Sequence, residues 1–404
     1  MKSLTIVIIG GGVIGLSSAY HLARRKAGRV VLLEKGPVGD GASSRAAGII
    51  NGLLWTEPGV LARHIALQRY RELSEELDGY RFQDIGCLNL FDESVWPNQA
   101  AVLPLYDRLD APYEVLDANQ IHRRWPALTP GKNLTGLFDP RGGYSEPEHY
   151  VPALATGARR LGVEIRENQP VTGFLDSGGR ITGVTTDHGD VEADAIVCAA
   201  HVWSMHLLGQ RLDCHLPAKP FLHQRFVSEP TPAKVQIPAV NANTLGGYVR
   251  PAHGSRLLVG LETPEHKQHP APTSRFRMTE LAVDPDYPER ARKNLLPLVP
   301  AIKDLPWHSE HIGLLCFSMD GEPILGPVAS HPGLYIATAF HSGGFAYNPA
   351  VGSLLADMIV DGESPIDISA FSPDRFDRQQ SSNYLCRDLT QGEVVDQVFF
   401  PRRH

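Results

Sequence analysis

The chain lacks the cysteine pattern of a stapled or metal-bound fold. Its five cysteines (Cys87, Cys198, Cys214, Cys316, Cys386) are odd in number, scattered, and contain no CxxC. That argues against a disulfide framework or a zinc site and fits a reducing cytosol. A net positive charge is also lacking. The 38 Lys and Arg stand against 45 Asp and Glu, for a net charge of -7. A nucleic-acid partner therefore finds no electrostatic support. No apolar run reaches the ~18 residues that would suggest a membrane span. The opening MKSLTIVIIGGGVIGLSSA has the lysine, apolar stretch and small residues of a secretory leader, but three consecutive glycines break it. A cytoplasmic protein is expected. His266 and His269 form an HxxH, yet flanking prolines deny it the helix face that a metal site prefers, so no metal is expected. No repeat or low-complexity stretch stands out. The 404 residues, 42% apolar and 21% charged, allow two or three domain-sized units.

Residues 3–36, SLTIVIIGGGVIGLSSAYHLARRKAGRVVLLEKG, carry a recognisable order. Leu4 to Ile9 reads as a buried strand. Gly10, Gly12 and Gly15 follow with G-x-G-x-x-G spacing. A helix from Val13 to Lys26 has Leu16, Ala19, Leu22 and Ala23 at helical intervals, and Gly28 stops it. Val30 to Leu33 is a second strand, ended by Glu34. Each part has a physical reason. The first glycine permits a tight turn, the second lets backbone approach a pyrophosphate, and the third lets helix and strand pack closely. The helix N-terminus offers free N–H groups and a positive dipole end. Glu34 suits ribose hydroxyls and disfavours a 2′-phosphate, so FAD or NAD is expected over NADP.

Further stretches separate these two. GDGASSRAAGII (39–50) resembles the flavin-proximal loop of the D-amino-acid oxidase, glycine oxidase and sarcosine oxidase superfamily, the DAO family. RGGYSEPEHYVPAL (141–154), ADAIVCAAHVWSMHL (193–207), GGYVRPAHGSRLLVGLET (246–263), GLLCFSMDGEPILGP (313–327) and FHSGGFAYNPAVG (340–352) resemble its later motifs in the same order. The resemblance covers about residues 1–376. It implies an α/β fold in which a Rossmann-like FAD-binding domain is interleaved with a substrate domain of mostly antiparallel sheet plus helices, the DAO or glutathione-reductase-like fold. The FAD domain would take 1–80, 145–212 and 327–376, and the substrate domain 81–144 and 213–326. Residues 377–404 form a C-terminal extension, read as a lid, a dimer contact or disorder. Strand-like runs fall at 215–226, 247–252 and 256–261, and a helix at 284–300.

The resemblance also implies site residues. FAD, held non-covalently, would touch Gly10, Gly12, Val13, Ile14, Gly15, Glu34 and Lys35. It would then follow the loop Ala42, Ser43, Ser44, Arg45, Ala46, Ala47 and Gly48. Further contacts are Pro170, Val171, Ala199, Ala200, Trp203 and Gly313. At the flavin ring lie His341, Ser342, Gly343, Gly344 and Phe345. Pro349 would open a helix, Ala350–Ile359, whose positive end favours the reduced ring. Tyr248 matches a tyrosine that lines the substrate site. Arg250, on the same strand face, could bind a carboxylate or form a surface salt bridge. His341 would contact flavin or substrate. Trp55, His201, His223 and His311 are weaker pocket candidates.

Departures qualify the substrate. Leu315 stands where glycine oxidase-like members carry a carboxylate-binding arginine, which argues against a simple α-amino acid. Leu258 aligns with the oxygen-activating lysine of monomeric sarcosine oxidases. Cys316 lies near their flavin-linking cysteine, but too close to Asp320 for the family pattern, so a buried inert thiol is expected. The resulting expectation is oxidation of the C–N bond of a small amine to an imine, by hydride transfer to flavin N5. The substrate would be a secondary or N-methyl amine, or an amino or imino acid. The electron acceptor is oxygen, a quinone or an electron-transfer protein, and a homo- or hetero-oligomer stays open. Three alternatives remain. One is an FAD-dependent 2-hydroxy-acid or polyol dehydrogenase with His341 or His201 as base. Another is the flavin subunit of a multi-subunit amine dehydrogenase. The third, a tRNA-modifying flavoprotein, is disfavoured by the acidic balance.

Overall fold

The computed structural model describes residues 4–270 and 272–399. The β-branched run Leu4–Ile9 lies inside a six-stranded sheet. Its order is Ile324–Pro327, Leu334–Thr338, Ala195–Cys198, Leu4–Ile9, Gly28–Leu33, Glu164–Arg166. All neighbours are parallel except the first pair. Side-chain alternation divides the strand between two layers. Ile6 and Ile8 pack with the helices Val13–Arg24, Pro147–Arg160 and Gly344–Val360. Val7 and Ile9 face the other way, towards the three-stranded meander Val171–Ser177, Arg180–Thr186 and Gly189–Glu192.

The helices Val13–Arg24 and Gly344–Val360 lie side by side. Their approach depends on Gly352, where a Cβ would sit 2.5 Å from the Ser17 carbonyl oxygen. The second helix corrects the sequence reading. It starts at Gly344, not Ala350, and Pro349 lies inside it. Proline removes one i→i−4 bond and frees the carbonyl of residue i−4. Here that carbonyl is Phe345's, and it accepts instead from the Tyr70 hydroxyl and the Asn348 amide. The helix therefore continues through its proline.

A nine-stranded sheet faces this assembly. Its order is Phe340–His341, Trp307–Ser318, Ala218–Ser228, Arg256–Leu261, Gly247–Ala252, Ala239–Ala242, Cys87–Asp92, Leu134–Asp139, Glu114–Asp117. Only Ala239–Ala242 and Cys87–Asp92 pair in parallel. One face buries Val240, Val249 and Val259 under the helix Tyr287–Leu295, which supplies Ala291 and Leu295. The alternating positions Asn89, Asn241, Tyr248 and His223 point to the opposite face, towards a cavity. Of the C-terminal extension, Arg378–Cys386 and Gln391–Phe399 are helical, and residues 400–404 lie outside the described residues.

Candidate active site

Between the sheets lies a cavity of about 1180 Å³. That exceeds the ~300–1,000 Å³ of ordinary small-molecule pockets and leaves room for a large cofactor and a substrate together. Of the candidate residues drawn from the sequence, all line it except Gly15, Ser44, Arg250 and His311.

The first glycine loop turns at Gly10, whose φ of +109° suits glycine alone. A Cβ on Gly15 would lie 1.9 Å from the Gly10 carbonyl oxygen, so the close packing of helix on turn requires glycine here. The first i→i−4 bond of the helix joins Leu16 N–H to the Gly12 carbonyl. Val13 N–H donates to Ser43 Oγ at 3.0 Å, and the N–H groups of Ile14 and Gly15 fall in the unsatisfied first turn. Glu34 accepts from Gly11 N–H at 2.7 Å and Gly36 N–H at 2.9 Å while lining the cavity. Burial raises its pKa against these bonds. Lys35 lies over the Trp203 ring at 3.9 Å and donates to the Phe276 carbonyl at 2.6 Å. Burial brings its pKa down to about 8.

The loop 39–48 is held from behind by two arginines of the nine-stranded sheet. Arg225 donates to the Ser44 and Arg45 carbonyls at 3.0 and 3.1 Å and pairs with Glu148 at 3.2 Å. Arg250 donates to the Ala47 carbonyl and grips Glu146 through both nitrogens, at 3.0 and 2.9 Å. It is wholly buried and outside the cavity lining. Arg250 thus holds the loop. The surface salt bridge expected as its alternative is also replaced, by a buried one. His311, too, misses the cavity. It bonds Ser309 Oγ at 3.2 Å, and burial pulls its pKa down to about 4.

The second glycine loop ends at Gly343, the cap of Gly344–Val360. That helix's first bond is Tyr347 N–H to the Gly343 carbonyl, which leaves the N–H groups of Gly344, Phe345 and Ala346 in its open first turn. His341 has a left-handed backbone (φ +56°), lies 3.2 Å from Ser318 Oγ, and packs edge-on to Phe317. Burial takes its pKa down to about 3. His201 donates Nε2–H to the Leu314 carbonyl at 2.8 Å, which leaves Nδ1 as the lone-pair nitrogen, and burial lowers its pKa. On the facing sheet, His223 Nε2 and the Tyr248 hydroxyl lie 3.0 Å apart with nearly parallel rings. Burial keeps Tyr248 a neutral phenol. Asn241 donates to Asn89 Oδ1 at 2.8 Å beside them.

A profile of the DAO family, FAD-dependent oxidoreductases, matches residues 5–358. The chain belongs to the DAO family. The 4-methylaminobutanoate oxidase (formaldehyde-forming) of Paenarthrobacter nicotinovorans is 29% identical over 399 residues, 96% of this chain and 47% of the relative. The chain thus spans about half the length of that relative. The glycine oxidase of Pseudomonas putida is 29% identical over 388 residues, 92% of this chain and 99% of that enzyme. The crystal structure of L-proline dehydrogenase from P. horikoshii has a TM-score of 0.85 at 23% identity, covering 94% of this chain and 99% of that one, a likeness of fold.

The cavity fits the family's FAD. Side chains at Gly10 or Gly48 would strike backbone, at 2.6 Å from the Ala199 oxygen and 2.0 Å from the Ser145 oxygen, so bare backbone lines a slot there. The helix N-terminus after Gly12 supplies positive potential for its pyrophosphate. Leu315 lines the cavity, whereas Leu258 and Cys316 do not. Burial pushes the Cys316 thiol up to about 12, away from a reactive thiolate.

Several lining residues escaped the sequence reading. Arg63 sits on the stripe Val60, Arg63, Leu67, Tyr70 of the helix Glu57–Glu76, and all four are buried. A cation on an apolar stripe was the available signal. Asn89 and Asn241 carry a weaker one, polar residues at inward positions of strands. Gln391, Gly392 and Val395 of the extension also line the cavity. The extension is fastened by Lys219, which is buried and donates to the Arg387 carbonyl at 2.8 Å and to Gln268 Oε1 at 2.5 Å.

Proposed function

We propose that the enzyme oxidises the C–N bond of a small amine, and that the substrate lies between the Gly343–Gly344 loop and the Tyr248–His223 pair. The observation that carries this reading is the weakness of His341 and His201, the two histidines that a hydroxyl substrate would need as its base. Oxidising a hydroxyl compound requires a base matched to a poorly acidic O–H. His341, held near 3, is badly matched, and burial weakens His201 in the same direction. An amine needs only to be held without its extra proton, since its own lone pair drives C=N formation. The glycine oxidase likeness over almost the whole of both chains supports the same choice.

FAD, when bound, accepts the substrate's C–H hydrogen with its two electrons. The chain's residues do the rest. Tyr248 donates its hydroxyl proton to His223 Nε2 and presents its oxygen to the substrate N–H. A proton leaving the ammonium passes to this pair. Leu53, Leu315 and Phe317 give the cavity apolar walls that exclude water. Excluding water strengthens each polar contact that orients the substrate. The C=N product then takes up water and falls to a carbonyl compound and an amine.

The test is anaerobic bleaching of the purified holoenzyme by amines, amino acids and hydroxy acids, with air readmitted. Bleaching by an amine and not by hydroxy acids is expected. Bleaching by hydroxy acids alone would overturn the reading. Fast recolouring in air identifies an oxidase, slow recolouring a dehydrogenase.

A further inference from the structure

The C-terminal extension lies beyond the family match, which ends at residue 358. Its last helix, Gln391–Phe399, nonetheless turns one face to the cavity, through Gln391, Gly392, Val395 and Asp396. Gln391 N–H donates to the His266 carbonyl and Gly392 N–H to the Pro264 carbonyl, both at 2.8 Å. Leu389 and Val394 are buried with Phe221 and Phe317 of the nine-stranded sheet. Alternation along Ala218–Ser228 puts Lys219, Phe221, His223 and Arg225 on one face. Arg225 holds the loop 39–48, His223 lines the cavity, and Phe221 and Lys219 carry the extension. The extension therefore begins about 7 Å along the strand from His223.

Two acceptors at this end of the cavity are unclaimed. Gln391 is 4% exposed, yet its Oε1 has no hydrogen-bond partner. A buried amide oxygen is costly to leave unpaired, so its donor comes from what fills the cavity. Glu262 lines the cavity two residues before Pro264, the loop on which the helix docks. After burial, its charge is the largest influence raising the Tyr248 pKa, which places it beside the Tyr248–His223 pair. The neighbouring cations are engaged elsewhere: Lys267 with Asp388, Arg290 with Glu265, and Lys219 with the Leu385 and Arg387 carbonyls. Asp396 adds a second carboxylate at the exposed rim.

We propose that Gln391 and Glu262 form a subsite for a second, positively charged nitrogen of the substrate, several bonds from the amine that is oxidised, so that the substrate is a diamine or a longer polyamine. The proposal rests on the amine-oxidation reading. An alkylammonium has three N–H donors and no acceptor, which matches an amide oxygen and a carboxylate. A distal alkylamine is protonated at neutral pH, as a lysine side chain is. The same carboxylate against the reacting nitrogen would work the wrong way, because a nearby negative charge holds an ammonium proton in place. Glu262 and Gln391 therefore serve the far nitrogen, and Tyr248 with His223 the near one.

The probes are N-methylputrescine and N-methylpentylamine, which match in length and differ in the charged far nitrogen. Their apparent Kd is read from anaerobic flavin bleaching of the holoenzyme. The wild type should favour N-methylputrescine by about tenfold or more. Glu262→Gln should erase most of that preference, and Gln391→Leu should reduce it about three- to tenfold. Each should weaken N-methylputrescine far more than N-methylpentylamine, a split that a merely structural role would not produce. Equal affinity of the wild type for both probes overturns the proposal, as does a preference that survives both substitutions. A Gln391→Leu enzyme that loses FAD and keeps the preference also overturns it, by assigning the amide to the cofactor. Should Gln391→Leu fail to fold, the wild-type probe pair and Glu262→Gln decide. Amine bleaching without a preference would sink this proposal alone. Bleaching by hydroxy acids alone would sink the C–N reading. The two amines would then be compared as inhibitors of that bleaching, and equal inhibition would sink the subsite as well.

Discussion

Replacing Arg250 by methionine should damage cofactor binding and stability, and leave substrate selection alone. The reasoning starts from Glu146, which is 7% exposed and held by Arg250 through two bonds. Burial pushes its pKa up. The Arg250 charge, those bonds and the His253 N–H outweigh that push, so the net value lies below the ordinary carboxylate range. Removing one member of a buried pair strands the other, at a cost of ~3–5 kcal/mol. The Ala47 carbonyl also loses a charge-assisted bond, worth ~1.5–3 kcal/mol. Ala47 and Gly48 line the cofactor slot, so FAD should bind about 10- to 100-fold more weakly. The depressed pKa makes the pair's stabilisation complete above the unfolded carboxylate value near ~4.3 and lost as pH falls through the folded value. In Arg250→Met, burial acts on Glu146 against only the His253 N–H and the Arg225 charge, so Glu146 takes up a proton more readily. The gap from wild type should therefore be widest near neutrality and shrink on acidification. Adding Glu146→Gln should recover part of the loss, because no charge is then stranded. The assays are urea unfolding at fixed FAD, from pH 5 to 8, and FAD titration of the apoprotein. A substrate KM that rises while FAD affinity and stability hold would refute the argument and return Arg250 to the substrate. Strict additivity of the two substitutions would refute the ion-pair account.

Other perturbations separate the remaining parts. Gly15→Ala puts a Cβ 1.9 Å from a backbone oxygen and should yield protein that retains no FAD, judged by the absorbance of the purified sample. Tyr248→Phe should lower kcat/KM about 10- to 100-fold with FAD affinity unchanged, the loss of one oriented hydrogen bond near the reacting nitrogen. Lys219→Met removes the buried tether of the extension, so proteolysis near residues 385–392 should quicken and KM rise, with FAD content constant. Burial holds His21 and His341 down to about 3, so the unfolded chain binds more protons than the folded one between that value and 6.5. Their contribution is therefore full above 6.5 and falls by about 1.4 kcal/mol per group for each pH unit below it. His21→Phe should make the acid side of the unfolding profile shallower.

What the sequence disclosed, and what it hid, follows from the range of the interactions. The first glycine unit was legible because its logic is local. Strand, turn, helix and acid lie within 36 residues, and each glycine answers to a neighbour along the chain. The second unit was legible as a glycine pair but misread at its start. Pro349 usually marks a helix's first turn, and the rescue of the freed Phe345 carbonyl comes from Tyr70, 275 residues away. No local rule contains that partner. Arg250 was misassigned for a similar reason. Strand alternation gave its face correctly, but the glutamate that claims it lies 104 residues upstream.

Arg63 shows the converse error. A charge inside an amphipathic helix reads as ordinary surface until its neighbours are counted, and Val60, Leu67 and Tyr70 share its stripe. A buried cation demands an anion somewhere, and the chain supplies one for each of the other two buried arginines but none for this one among the described residues. The same accounting explains the arrangement of the cavity. Arg225 and Arg250 are neutralised internally and act on backbone carbonyls, so their work is finished when the chain folds. Arg63 and the two helix termini are left electrostatically incomplete, and all three border the cavity. Residues that position the loop are satisfied by the fold, and those that face ligands are left for the ligands to satisfy.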